Sequence, residues 1–342
     1  MKRSQYLINK LKWAIITIMV VIVFNFFLFR ILPGDPARTG MRDPRLSAAS
    51  QTAIRVRFGL DKPVINCFQS LSPPKLGSCL VNPLDTQFFL YIINLFHGDF
   101  GDSYSYNVPV ADILGPRLLN TVILMFIGNL IAVVFGMLLG VVAAWRSHTK
   151  LDAATVILSL ITWALPTFWL GIILLIWGSR LGLPLNGMWT PGASYANFAE
   201  KMLDLGRHLL MPTITIVIVI IGEYVIIMRS TLLDVFSEDY VLTAKAKGLS
   251  TFQIIKDHAM QNAMLPMVTI IAMNLGFIVA GAIQIETVFS YPGIGLLVFE
   301  AVGKRDYPLL QGGFFIIAVS VILANLIADL LYSYLDPRVE AS

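Results

Sequence analysis

The sequence predicts an all-α, polytopic membrane protein with six transmembrane helices. Three observations carry this reading. The 342-residue chain is 56% hydrophobic and 13% charged, with a mean hydropathy of +0.74; a soluble domain carries about twice that charge. Apolar runs near the ~20 residues needed to cross a bilayer recur along it. The runs are continuous rather than alternating, which selects helices over a β-barrel.

Taken in order, the first run covers residues 13–32 and follows Lys2, Arg3, Lys10 and Lys12. A cleaved signal peptide is the alternative, but the run is too long for its apolar region and FFLFRILPGDPA holds no A-x-A site. Residues 1–33 are therefore read as a tail and a retained span. Residues 34–119 form a long polar segment with turn signals at Pro33-Gly34 and Pro73-Pro74. Within it, 84–96 is amphipathic and too short to span, which predicts a surface helix with Phe88, Phe89, Tyr91 and Phe96 at headgroup level. The remaining spans are expected at 121–145, 153–179, 209–228, 265–285 and 310–334, within a core of residues 120–342.

Basic residues fix the sidedness. The amino terminus, Arg146, Lys150, Arg229, Lys245, Lys247, Lys256 and Arg338 fall on one side, read as the cytoplasm. Six spans then place both termini there and the 34–119 segment outside. Gly136 and Gly140 form a G-x-x-x-G pair, and Ala272, Gly276 and Ala280 a longer ladder of small residues. Such spacing permits close helix packing, either within the bundle or at a subunit seam.

Several functions are excluded or lack support. There is no G-x-x-x-x-G-K-[ST] phosphate loop, no H-E-x-x-H and no C-x-x-C. His97, Asp99 and Asp102 are loosely spaced and complete no metal set. The small net charge of +4 is spread among loops, which speaks for membrane orientation rather than nucleic-acid binding. The chain is expected to be non-catalytic, with no cofactor of its own.

Residues 229–264 raise a question, because they are charged and helix-prone between two very apolar runs. Ser237 is a candidate cap for a helix with Glu238 and Asp239 in its first turn and Lys245 and Lys247 in its last. Gly248 suits the left-handed residue that ends it. Ser250-Thr251-Phe252-Gln253 is a capping box that starts a second helix, with Phe252, Ile255, Ala259 and Ala263 on one apolar face. A mere connection needs only a few residues. A rigid elbow of this kind suits contact with a second protein; a helix lying on lipid is the alternative.

The stretch TAKAKGLSTFQIIKDHAMQNAMLP (243–266) resembles the coupling loop of ATP-binding-cassette importer permeases, of the dipeptide, oligopeptide and nickel branch. The resemblance extends through ILPGDPA (31–37), FGLDKP (58–63), HGDFGDS (97–103), ETVFSYPGIG (286–295), RDYPLLQGG (305–313) and DLLYSYLDPR (329–338). One departure is that Leu242, Thr243 and Ala244 stand where the general permease motif has Glu-Ala-Ala. The resemblance implies a multi-pass permease of the cytoplasmic (inner) membrane that works with a second, similar permease. Its other implied partners are two ATPase subunits, which bind the ATP and Mg, and an external substrate-binding protein. It also implies that Asp239, Tyr240, Ala244, Gly248 and the helix through Ile255 contact an ATPase. Short peptides are the implied cargo, with nickel complexes or oligosaccharides as alternatives. Against this family pattern, the outer segment carries an insertion containing Cys67 and Cys79. An oxidising exterior favours a disulfide between them; two free thiols are the alternative.

Inside the spans, Glu223 is a carboxylate that must face the bundle or water. It is either a path residue that meets a substrate ammonium group or a partner in a structural hydrogen bond. Asn129, Asn274, Gln284 and Asn325 are lesser polar candidates. Glu286 and the Tyr291-Pro292-Gly293 turn lie at the outer end of the fifth span, where an external gate is expected. A stand-alone secondary transporter is a competing function, but no internal repeat or paired intramembrane charge supports it.

Overall fold

Helices form where the apolar runs lie, and most outlast the runs. The computed structural model describes residues 3–31, 86–278 and 283–335. Twelve α-helices and no β-strand occur among them. In chain order they are α1 (Arg3–Ile31), α2 (Gln87–Phe96), α3 (Val110–Trp145), α4 (Lys150–Ala164), α5 (Thr167–Arg180) and α6 (Phe198–Phe236). There follow α7 (Asp239–Ala246), α8 (Thr251–Ile254), α9 (Met260–Phe277), α10 (Ile283–Val288), α11 (Ile294–Lys304) and α12 (Tyr307–Leu335). The helical, polytopic class is as expected. Cys67 and Cys79, and the motifs around residues 58–63, lie outside the described residues.

The span count is refined. Among the described residues, four helices are long and apolar enough to cross a membrane, and five if the bent pair α4–α5 is one span. The bend is 99°. Its cause is Pro166: proline cannot donate within a helix, and it drives the preceding residue out of the helical region. Leu165 accordingly has ψ 131° and Pro166 ψ 121°. The expected fifth span at 265–285 is divided between α9 and α10, with residues 279–282 outside the described set. Helix α6 begins well before its apolar run because Asn197 caps it, accepting from Glu200 N at 2.9 Å.

The chain divides into two compact units. The larger comprises residues 1–14, 119–296 and 320–342. In it α3 and α6 pack at very short range. A Cβ added at Gly128 would lie 2.7 Å from Ile216, at Gly136 2.7 Å from Tyr224, and at Gly140 2.7 Å from Met228. The sequence separation is the same in all three pairs, so the two helices run parallel and in step. The Gly136/Gly140 pair is thus an intramolecular seam. Ala280, the end of the second small-residue ladder, lies outside the described residues. Gly222 similarly brings α6 against the backbone of Ser159 in α4. Between α5 and α6, Asp204 pins the connecting loop, accepting from Thr190 Oγ1 at 2.6 Å and Tyr195 OH at 2.5 Å.

The smaller unit comprises residues 15–118 and 297–319. Phe26 of α1 is fully buried and meets Phe88 and Tyr91 of α2 at 5.1 and 5.5 Å between ring centres. The expected headgroup position therefore fits Phe96, which is exposed, better than Phe88 or Tyr91. Asn25 Nδ2 donates to Gln311 O at 2.8 Å. Asp306 caps α12 and joins two of the sequence motifs, accepting from Ser103 Oγ at 2.5 Å and Ser105 N at 2.9 Å. His97 and Asp99 serve local turns, at Ile93 O and Gly101 N.

Candidate functional site

The elbow between α6 and α9 is built largely as its sequence dictates. Ser237 is the exception: it ends α6, and Glu238 stands at the start of α7 with no side-chain capping bond. Ser237 N already donates to Asp234 O, so the α6 hydrogen-bond ladder runs through the residue expected to open the next helix. Helix α7 closes at Gly248, whose φ of +79° is the left-handed conformation, and Leu249 N returns to Ala244 O at 3.3 Å. The capping box of α8 is complete. Ser250 N donates to Gln253 Oε1 at 2.9 Å, and Gln253 N to Ser250 Oγ at 3.4 Å.

A π-helical turn at Ile255–Ala259 separates α8 from α9. Its wider turn shifts the apolar register. Ile254, Ile255, Ala259 and Ala263 are buried, whereas Phe252 is 59% exposed and rests on Trp145 with ring centres 6.4 Å apart. The expected face containing Phe252 is corrected accordingly. The inner side of the elbow, with Val241, Ala244 and Ile254, belongs to the same hydrophobic cluster as Tyr224, Met228 and Leu232 of α6. Asn262 Nδ2 also donates to Tyr240 OH at 2.7 Å. The elbow is thus fastened to the bundle, which does not favour a loose helix on lipid.

Of the five residues expected to meet an ATPase, Asp239, Tyr240 and Gly248 are exposed. Ala244 and Ile255 are only 5% and 4% exposed, so they hold the elbow to the bundle. Leu242 and Phe252 are exposed apolar side chains that sequence reading did not place on the outer side. The signal for Phe252 was hidden by the π turn.

A second polar cluster lies inside the same unit. Tyr224 OH donates to Asn129 Oδ1 at 2.7 Å. Asn274 Nδ2 donates to Tyr224 OH at 3.0 Å and to Glu223 Oε2 at 3.2 Å. These groups tie α3, α6 and α9 together. Asn129, Glu223 and Asn274 line a cavity of about 220 Å³, whose other walls include Met125, Ile220 and Ile285. Glu223 and Asn274 are thus brought together, and Tyr224 joins them unforeseen. Gln284 and Asn325 are exposed and do not line this cavity.

Glu286 and Tyr291 are placed elsewhere, each 0% exposed. Glu286 Oε1 accepts from Thr121 Oγ1 at 2.5 Å, and its Oε2 accepts from Leu296 N at 2.8 Å. Thr121 Oγ1 in turn accepts from Ile294 N at 2.9 Å, and Tyr291 OH donates to Asn120 O at 3.0 Å. Gly293 leaves room for the carboxylate, since a Cβ there would strike Glu286. The ETVFSYPGIG turn is therefore stitched to the start of the membrane run of α3.

Comparison with known proteins agrees with this architecture. Residues 136–341 match the family model for the binding-protein-dependent transport system inner membrane component. The chain is 33% identical over 334 residues to the probable peptide ABC transporter permease protein y4tP of Sinorhizobium fredii, with 98% of each chain covered. It is 30% identical over 340 residues to the oligopeptide transport system permease protein AppB of Bacillus subtilis, covering 98% of this chain and 99% of that one. It is 31% identical over 353 residues to the dipeptide transport system permease protein DppB of Escherichia coli, with 98% of each covered. With its parallel glycine seam, fastened elbow and full-length likeness to these permeases, the chain belongs to the family of binding-protein-dependent transport system inner membrane components.

Proposed function

We propose that this chain forms half of the translocation path of an ATP-driven importer for short peptides. A second, similar permease completes the path. Two cytoplasmic ATPases bind ATP and Mg and drive it, and an external binding protein delivers cargo. Both termini and the elbow face the cytoplasm, in keeping with the basic residues that cluster there. The peptide assignment draws on the three relatives, which are named as peptide, oligopeptide and dipeptide permeases. The chain itself performs no catalysis.

The observation that carries the coupling role is the two-sided elbow. Its inner side is buried in the bundle with Tyr224 and Met228, while Tyr240, Leu242 and Phe252 are exposed on it. A push on the outer side is passed to α6 and α9 through packed side chains, because close-packed interiors transmit displacement. Exposed apolar groups beside Asp239, Lys245 and Lys247 form a mixed surface of the kind that protein partners bury.

The test is uptake into proteoliposomes holding the full complex. Peptide uptake requires ATP, the ATPases and the binding protein together. Uptake by this chain alone on an ion gradient contradicts the proposal. Uptake of only a nickel complex or an oligosaccharide keeps the architecture and overturns the cargo.

A further inference from the structure

The cavity beside Glu223 has a chemistry that its own hydrogen bonds do not use up. Asn274 spends both donors inward, on Tyr224 OH and Glu223 Oε2. Tyr224 spends its proton on Asn129. The donors of Asn274 and Tyr224 are thus committed, the Asn129 amide group donates no hydrogen bond among the described residues, and carboxylate and carboxamide acceptors remain. Glu223 Oε1 and Asn274 Oδ1 make no hydrogen bond among the described residues, and neither is a buried orphan. Both residues line the cavity. Its remaining walls are largely aliphatic or thioether side chains, such as Met125, Ile220 and Ile285.

A carboxylate and a carboxamide oxygen with free lone pairs call for a donor, and a carboxylate in a membrane span calls for a positive one. Apolar walls call for a hydrocarbon body next to it. Dimensions of about 220 Å³ admit a small organic group, not a whole oligopeptide. From this geometry we propose that Glu223 and Asn274 form a way-station that selects a primary ammonium group attached to an apolar body. This deepens the importer reading and rests on it. In transport, the group is the amino terminus of the peptide together with its first side chain. Tyr224 and Asn129 are positioning residues, since they fix the Asn274 amide so that its oxygen stays available.

The probe is radiolabelled 2-phenylethylamine, a primary ammonium on an apolar body. Its equilibrium binding is measured on the full-length chain in the assembled importer, held in lipid nanodiscs. Wild-type protein is expected to bind it. Glu223→Gln, which keeps the size and removes the charge, is expected to weaken binding at least tenfold. Glu223→Asp is expected to retain part of it. Unlabelled 2-phenylethanol, which lacks the charge, is expected not to compete. Absence of binding to wild type, unchanged binding to Glu223→Gln, or competition by 2-phenylethanol overturns the proposal. ATP-driven uptake of the dipeptide Ala-Phe is measured in parallel. Uptake without amine binding removes the way-station alone, whereas amine binding without uptake removes the peptide-importer reading and leaves the site.

Discussion

Arg229 and Asp152 meet in a two-pronged ion pair, with Nε 2.5 Å from Oδ1 and Nη2 2.7 Å from Oδ2. Asp152 also accepts from His148 N at 3.0 Å, so one carboxylate fixes the α3–α4 turn and locks α4 to α6. Arg229 therefore enters the charge balance of its membrane end already paired. Asp152→Ala removes a charged hydrogen-bond partner from a mostly buried site and is expected to cost about 1–3 kcal/mol. Thermal unfolding of the purified chain in detergent checks this, and the exchange Asp152→Arg with Arg229→Asp should restore part of the loss. Equal stability of Asp152→Ala and wild type contradicts the assignment.

At Gly248 a side chain meets open space, since nothing lies within 4 Å of an added Cβ. Any effect of substitution there is backbone strain, about 1–2 kcal/mol for a β-branched residue. Gly248→Val is expected to impair ATP-driven uptake while the spans still insert. Gly248→Asn, which tolerates the left-handed region, is expected to be much milder. Uptake assays on reconstituted complexes distinguish the two, and equal activity of the Val and Asn variants goes against the turn argument.

The α3–α6 seam makes a different prediction. An added Cβ at Gly140 would lie 2.7 Å from Met228 Cβ and 2.8 Å from the carbonyl oxygen of Val225, a backbone atom that cannot swing aside. Gly140→Leu is expected to separate the helices and cost about 1–3 kcal/mol or more, as overpacked cores do. Size-exclusion profiles should show less folded protein. Gly303→Ala, where an added Cβ meets nothing within 4 Å, is the matched control.

The positions of Gly248 and of the Ser250–Gln253 box were legible because each is a local rule written in adjacent residues. The bend at Pro166 was equally local but was masked by the continuous hydropathy around it. Phe252 lies off the face that a regular 3.6-residue period gives it, because the π turn at Ile255–Ala259 rotates the register. The Thr121–Glu286 bond, the Asp306–Ser103 bond and the partnership of Tyr224 with Asn274 join residues far apart in the chain. Nothing in either neighbourhood announces the other.

At the outer turn, Glu286 is the hub, and Gly293 exists beside it to leave space. Gly293→Ala is expected to displace the carboxylate, expose the Thr121 hydroxyl and the Leu296 N–H, and cost about 1–3 kcal/mol for the groups left unpaired. Protease sensitivity of the 289–296 turn in outside-facing vesicles measures this. An unaltered digestion pattern for Gly293→Ala contradicts the stitched-turn description.

We propose that the elbow conveys motion from a cytoplasmic ATPase to the bundle. Photo-crosslinking from a benzophenone amino acid installed at position 252, in the assembled importer, is the decisive measurement. An adduct with an ATPase subunit is expected, with a yield that changes between nucleotide-free and ATP-bound states. An adduct with lipid alone, or with a protein of the outer face, contradicts it.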